Sequence, residues 1–252
     1  MHKLLRLFAD GKMPEKIEMC REAGLLQHIM PELHACIGID GGGYHDETVY
    51  EHLLSALEAA KSYPPLLQLA VLLHDIGKPG SMEKKDGKIS FHSHEVNGAT
   101  EAYQFCKRTE LSKNETKHVV KLVRWHMFRF DTNSTDKTIK RWLFKIGKGT
   151  WEDLFRLRIA DRRGNKTNEN KPSVTREMKA LDKKIQVLIS SGTILFKEDL
   201  NISEDQLKKI IGRQHNLHEV YTNLIGLVNS DLSRNNLAWL TEYIKRVYPC
   251  NS

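Results

Sequence analysis

The sequence predicts an all-α protein: a helical bundle that carries one short β-hairpin and continues into a C-terminal helical extension. Three observations lead to it. Apolar residues recur at helical spacing in almost every segment of the 252 residues. Small polar residues or prolines stand ahead of those segments as helix starts, and period-two alternation is confined to one stretch. With 40% hydrophobic and 28% charged residues the chain has the material for a substantial core. No apolar run approaches a membrane span, and the apolar stretch in "MHKLLRLFADG" is too short for a signal peptide, so no membrane is expected and the cytoplasm is the expected location. Cys20, Cys36, Cys106 and Cys250 form no CxxC pair and read as reduced, structural residues.

Taken in order, residues 1–44 read as a helical lead-in, 45–165 as the core and 166–252 as the extension. "DETVYEHLLSALEAAK" opens on Asp46 as N-cap and sets Val49, Leu53, Leu57 and Ala60 on one face. His52 stands about 100° around the helix from Leu53, at the edge of that face. "PPLLQLAVLLHDIG" begins with two prolines, where a helix tolerates them, and Gly77 follows its end. "SMEKKDGKISF" alternates around Asp86-Gly87, a type I′ hairpin signal over about 82–91. Helical patterns follow near 95–107, 112–128, 136–144 and 151–162. The polar linker "RRGNKTNENKPS" then marks a boundary, and further helices are expected near 174–190, 204–211, 218–228 and 236–247.

The chemistry is concentrated in "LLHDIGKPG". A nearly all-apolar helix that delivers His74 and Asp75 side by side at its last turn places two polar groups at the edge of a core. Burying both without partners costs several kcal/mol, and a metal ion is the candidate partner. Other His and Asp residues stand at predicted helix ends or edges: His52, His94 in "FHSHEVNGA", His126 in "RWHMF" and Asp161 in "RIADRRGN". Imidazole with carboxylate suits a divalent first-row cation, with Mg²⁺ also tolerated by carboxylate. The other histidines read as ordinary surface or core residues; His92, two residues from His94, is expected to face elsewhere. "GGGYHDET" also contains His-Asp, but Asp46 is explained there as a cap, and His45 has a minor claim on the site.

Charge is unevenly placed. Residues 107–171 contain 18 Lys/Arg against 8 Asp/Glu, an excess of +10 that is larger than the +7 of the whole chain. A basic face of this kind attracts phosphates or a nucleic-acid strand; the other reading is a set of solvated helix faces.

The helical His, "LLHDIGKP" and distant Asp resemble the HD superfamily of metal-dependent phosphohydrolases. Within it, "REAGLLQHIMPEL", "YHDETVYEHLLSALEAA", "LAVLLHDIGKP", "FHSHEVNGATEA" and "RLRIADRRGN" are similar to the C-terminal HD module of bacterial CCA-adding tRNA nucleotidyltransferases, with a fainter likeness in "ILFKEDLNISEDQLKKIIG" and "NNLAWLTEYIKR". The paired catalytic aspartates of that family's nucleotidyltransferase head have no counterpart ahead of the module, so the expectation is the hydrolytic module alone. The resemblance implies an HD-domain helical bundle whose first metal is held by His52, His74, Asp75 and Asp161. His94 and His126 either hold a second ion with Asp75 as the shared ligand, or bind the substrate phosphate and serve as acid or base at a one-metal site. One or two divalent ions are thus implied, drawn from Mn²⁺, Mg²⁺, Ni²⁺, Co²⁺, Fe²⁺ and Zn²⁺.

In-line attack on a phosphoester adds charge to its oxygens, which a metal neutralises while lowering the pKa of water. Asp75 would hold metal and orient that water. Lys78 would reach the phosphate as a point charge, or serve as a partner of the helix dipole. Arg124, Arg162 and Arg163 would grip further phosphate oxygens or form a solvated face. The resemblance implies 2′,3′-cyclic phosphodiesterase and 2′-phosphatase activity on nucleotides or RNA ends, with tRNA as a further partner. Free (deoxy)nucleotides are the alternative substrate. The alternative of another class is a non-catalytic tRNA- or RNA-binding module.

Overall fold

The computed structural model describes residues 2–42, 47–130, 133–165, 174–212 and 214–249. Among them are fourteen α-helices and one two-stranded antiparallel sheet, as the spacing predicts. The chain divides into two compact units, Met1–Arg129 with Thr150–Lys179, and Phe130–Gly149 with Ala180–Ser252. None of the described helices is long and apolar enough to cross a membrane.

The first unit opens with four short helices, α1 (Lys3–Arg6), α2 (Met13–Glu22), α3 (Leu26–Ile29) and α4 (Pro31–His34). Its centre is α5 (Val49–Ala59) and α6 (Pro65–Leu73). Asp46, the expected cap of α5, lies outside the described residues, as do His45 and residues 166–173 of the linker. The helix begins instead at a capping box on Thr48: Glu51 N–H donates to Thr48 Oγ1 at 3.3 Å, and Thr48 N–H donates to Glu51 Oε2 at 2.9 Å. In α6 every residue from Leu67 to Leu73 is buried, Gln68 included. The Gln68 amide is satisfied by donating to Tyr63 O at 2.7 Å.

The strands β1 (Met82–Lys85) and β2 (Lys88–Phe91) pair in register from Met82 opposite Phe91 to Lys85 opposite Lys88. Asp86 and Gly87 both take positive φ, 50° and 74°, as a type I′ turn requires. Helices α7 (His94–Arg108), α8 (Lys113–Trp125) and α10 (Trp151–Gly164) complete the core of this unit. Helix α5 packs on α6 and α10, and α8 packs on α6 and α7.

The second unit contains α9 (Asp136–Ile146), α12 (Glu204–Ile211), α13 (Leu217–Ser230) and α14 (Leu237–Val247). Helix α11 (Val174–Ser190) contributes its residues from Ala180 onward. Leu207, Ile211, Leu224, Val228, Leu240 and Ile244 form the centre of an apolar core of its own.

One glycine sets how closely α10 approaches α5. A Cβ on Gly164 would lie 2.5 Å from Ala56 N and 2.7 Å from Ala56 Cα, both backbone atoms that cannot step aside. This contact explains why His52, expected at the edge of the core, is only 1% exposed: α10 covers that side of α5. Gly164→Ala is expected to destabilise the protein by about 2 to 3 kcal/mol through overpacking. It would be measured as a lower urea midpoint at constant m, and an unchanged midpoint would show that the two helices do not meet this closely.

Candidate metal centre

Four histidines and two aspartates converge in the first unit, each brought by a different piece of local structure. His52 comes from the first turns of α5 and Asp161 from the last turns of α10. His74 and His126 are the C-cap residues of α6 and α8, where a helix leaves carbonyls without intrahelical partners. Each ring uses one of those carbonyls. His74 Nδ1 lies 2.7 Å from Val71 O, and His126 Nδ1 lies 2.7 Å from Val123 O. His94, at the start of α7, repeats the arrangement with Phe91 O at 2.8 Å, after Ser93 turns the chain through the left-handed region at φ 61°.

A carbonyl only accepts, so Nδ1 carries the proton in these three rings and Nε2 presents a lone pair. In the fourth, His52 Nδ1 faces the carboxylate of buried Glu47 at 3.4 Å and carries a proton there as well. All four Nε2 atoms point at the two aspartates. His52 Nε2 is 3.2 Å from Asp161 Oδ1 and 3.9 Å from Asp75 Oδ2, and His74 Nε2 is 3.4 Å from Asp75 Oδ2 and 3.8 Å from Asp161 Oδ1. The other oxygen of the same carboxylate, Asp75 Oδ1, is 3.2 Å from His94 Nε2 and 3.4 Å from His126 Nε2.

The donor chemistry fits a cation. With neutral rings protonated at Nδ1, His94 Nε2 and His126 Nε2 are both acceptors, and they face each other at 3.3 Å; buried His74 Nε2 makes no hydrogen bond. Acceptors so arranged repel unless a positive charge lies between them. Ligand atoms that share an ion at about 2.1 Å stand roughly 3 to 3.5 Å apart, close to the spacings found here. His52, His74 and Asp75 form one group that could hold an ion, and Asp75, His94 and His126 form another.

The electrostatics follow from burial and charge together. Burial disfavours the charged form of every member, but the hydrogen bonds that the His52 ring donates to Asp161 and Glu47 outweigh it, and its pKa rises to about 9, so a proton occupies Nε2 wherever no metal ion takes its place. His94 is also raised by Asp75 in spite of burial. Burial prevails at His126, which is lowered. Both aspartates stay ionised: against burial, Lys78 and His74 hold Asp75 well below the carboxylate range, and His52 and His74 do the same for Asp161.

Lys78, buried at 6% exposure, sets Nζ 2.8 Å from Asp75 Oδ2 and 5.3 Å from the centroid of the Phe91 ring. It lines a cleft of 1050 Å³ that has His74, Asp75, His94, His126 and Asp161 on its inner surface. The hairpin residues Lys88 to Phe91 and the Asp40–Gly42 turn form one wall. His92, expected to face elsewhere, also lines the cleft from an exposed position. Of the three arginines named from the sequence, Arg162 lines it. Arg124 and Arg163 are absent from the lining: Arg124 reaches Glu95 at 3.5 Å and Arg163 reaches Thr175 Oγ1 at 3.4 Å.

Residues 45–186 match the HD domain family over more than half of the chain. The chain belongs to the HD domain family. Its HD region is 34% identical over 145 residues to an A-adding tRNA nucleotidyltransferase of Deinococcus radiodurans, covering 55% of this chain and 33% of that protein. A CC-adding tRNA nucleotidyltransferase of Thermus thermophilus is 30% identical over 166 residues, covering 64% of this chain and 38% of the relative. A multifunctional CCA protein of Teredinibacter turnerae is 30% identical over 167 residues, covering 62% and 40%. The chain thus spans about a third to two-fifths of the length of these curated relatives. HD domains are metal-dependent phosphohydrolases, and the His/Asp groups of this HD domain are of the kind that holds a divalent ion.

Three residues of the HD domain site escaped the sequence reading. Glu47 precedes His52 by five positions and no motif announces its role. Arg158 had a signal, because it stands three positions before Asp161 and therefore on the same face of α10. Arg129 was visible only as one charge among many in the basic stretch.

Equilibrium dialysis with Mn²⁺ is expected to give two ions per chain, with Asp75→Asn weakening both and His126→Ala weakening one. Undiminished binding in Asp75→Asn would rule out a shared ligand. Acidification is expected to weaken binding, because protons compete for the same imidazole and carboxylate atoms. Glu47→Ala is expected to cost about 10- to 100-fold in affinity through loss of the ring's orienting partner; unchanged affinity in that variant would remove Glu47 from the site.

Proposed function

We propose that the protein is a metal-dependent phosphohydrolase acting on RNA ends, as a 2′,3′-cyclic phosphodiesterase and 2′-phosphatase. The observation that carries this reading is the Asp75 carboxylate, which offers one oxygen to each of two histidine pairs at the base of a cleft that also presents Lys78 and Arg162. Divalent ions bound there would supply charge neutralisation for the phosphoryl oxygens and a lowered pKa for water.

The chain's own residues would do the rest. His52, His74, Asp75, Asp161, His94 and His126 would hold the ions. Asp75 would also accept a hydrogen bond from the attacking water and so aim its lone pair at phosphorus. Lys78 would turn from Asp75 to the phosphate, where its ammonium donates to a non-bridging oxygen as negative charge accumulates. Arg162 would bring a further guanidinium to the phosphates of the substrate. In the cyclic diester reaction the water oxygen bonds to phosphorus and one ribose oxygen leaves. One water proton passes to that ribose oxygen, and the other remains with the phosphomonoester.

Two features favour an RNA end over a free nucleotide. The cleft is lined by Lys78, Lys88, Arg129, Arg158 and Arg162, a set of cations that suits a polyanion. The relatives carry names that refer to tRNA nucleotidyltransferase or CCA-protein activity.

The test is hydrolysis of 2′,3′-cyclic AMP, 2′-AMP, 3′-AMP, a dNTP and a short RNA with a cyclic phosphate end, each with Mg²⁺, Mn²⁺, Co²⁺ or Ni²⁺. Turnover of the cyclic and 2′-phosphate substrates is expected, falling to background in Asp75→Ala with its circular dichroism spectrum retained. Lys78→Ala is expected to lower kcat/KM about 10- to 100-fold, the worth of one charge-assisted hydrogen bond. Exclusive turnover of the dNTP would transfer the reading to free nucleotides. Metal-independent RNA binding without turnover of any substrate would transfer it to a binding module.

A further inference from the structure

The cleft contains more positive charge than a single reacting phosphate needs, and that charge is grouped. Lys78 stands by Asp75, whereas Arg129, Arg158 and Arg162 form a second set in the lining. Arg158 and Arg162 are one turn apart on α10, hence on one face of it, with Asp161 between them in sequence. Arg129 comes from the chain just beyond α8.

Arg158 is held in advance of any ligand. Its side chain is 19% exposed, its guanidinium carbon lies 5.6 Å from the centroid of the Phe128 ring, and Nη1 is 3.9 Å from Asp161 Oδ2. A guanidinium stacked on an aromatic face loses less freedom on binding a phosphate than a free one. Arg129 and Arg162 press on Arg158 with like charge, opposed by Asp161 and Glu177. Among the described residues neither Arg129 nor Arg162 forms an ion pair or side-chain hydrogen bond. Three guanidinium groups turned to one cavity repel each other, and an anion among them converts that repulsion into attraction.

We propose that Arg129, Arg158 and Arg162 form a second phosphate subsite, which takes the internucleotide phosphate next to the reacting one and makes a single-stranded oligonucleotide the preferred substrate. The proposal rests on the reading of this cleft as a phosphohydrolase site. A mononucleotide leaves the subsite unfilled. A chain of two or more nucleotides fills both positions, and the second contact positions the first. The subsite thereby gives a role to the three arginines, which stand apart from Lys78 beside Asp75 and from Lys88 on the hairpin wall.

The experiment measures kcat/KM for 2′,3′-cyclic AMP and for a tetranucleotide ending in a 2′,3′-cyclic phosphate, in the wild-type protein and in Arg129→Ala. Arg129 is the exposed member of the set, so its removal leaves the core packing alone. The tetranucleotide is expected to be favoured at least about tenfold, and the ratio of the two values is expected to fall about tenfold in the variant, as loss of one charge-assisted contact implies. Binding of a labelled tetranucleotide with a 3′-hydroxyl end to the Mn²⁺-loaded protein supplies a readout that needs no turnover. There the slope of log affinity against log salt is expected to lose about 0.7 in Arg129→Ala. Equal kcat/KM for the two lengths, or a length preference and salt slope that survive in Arg129→Ala, would overturn the subsite. Binding that depends on Arg129 without hydrolysis of either substrate would sustain the subsite and overturn the phosphohydrolase reading.

Discussion

The first unit is organised around a demand for positive charge at the inner surface of its cleft. Four imidazole Nε2 atoms and two carboxylates are directed at one another there, and with neutral rings none of these atoms can donate a hydrogen bond to another. An arrangement of this kind is stable only with cations inside it, whether protons, an ammonium group or metal ions. Lys78 meets part of the demand through Asp75, and the His/Asp groups are of the kind that could hold a divalent ion to meet the rest. Helix order, caps and the close contact of α5 with α10 then read as the means of bringing these six side chains together.

The backbone elements achieve that with little sequence. Asp75 follows His74 directly, so one helix end serves both histidine pairs. Helix α5 supplies His52 to one side of the carboxylate, while α7 and α8 supply His94 and His126 to the other. The placement of Asp75 between two histidine pairs is a result of this topology: its two oxygens point in different directions because the helices that bear the histidines approach from different directions.

Much of this was legible in the sequence. Of the four C-terminal spans expected, those near 174–190, 204–211 and 236–247 coincide with α11, α12 and α14 to within one residue, and the one near 218–228 with α13 to within two, because apolar periodicity and a small polar residue at the start fix a helix locally. The hairpin was legible from Asp86-Gly87, whose backbone requirement few residue pairs meet. What was not legible depends on contacts distant in sequence. The cap of α5 lay two residues beyond the expected one, where Thr48 and Glu51 satisfy each other reciprocally. The depth of His52 depended on Gly164, more than a hundred residues away. Whether an arginine faces the cleft or the solvent was equally unreadable, since Arg162 and Arg163 are neighbours in sequence and only one lines it.

The anchoring of the imidazole rings bears on how the site withstands mutation over generations. His74, His94 and His126 are each steadied by a carbonyl three positions earlier in their own segment, and a carbonyl persists whatever residue carries it. Drift at positions 71, 91 and 123 can therefore change size and hydrophobicity without withdrawing the support. His52 turns its Nδ1 to a side chain instead, that of Glu47. Part of the inherited fragility of the cluster is in this way placed at a codon outside the recognisable motif, where a comparison of the histidines and aspartates alone would not look.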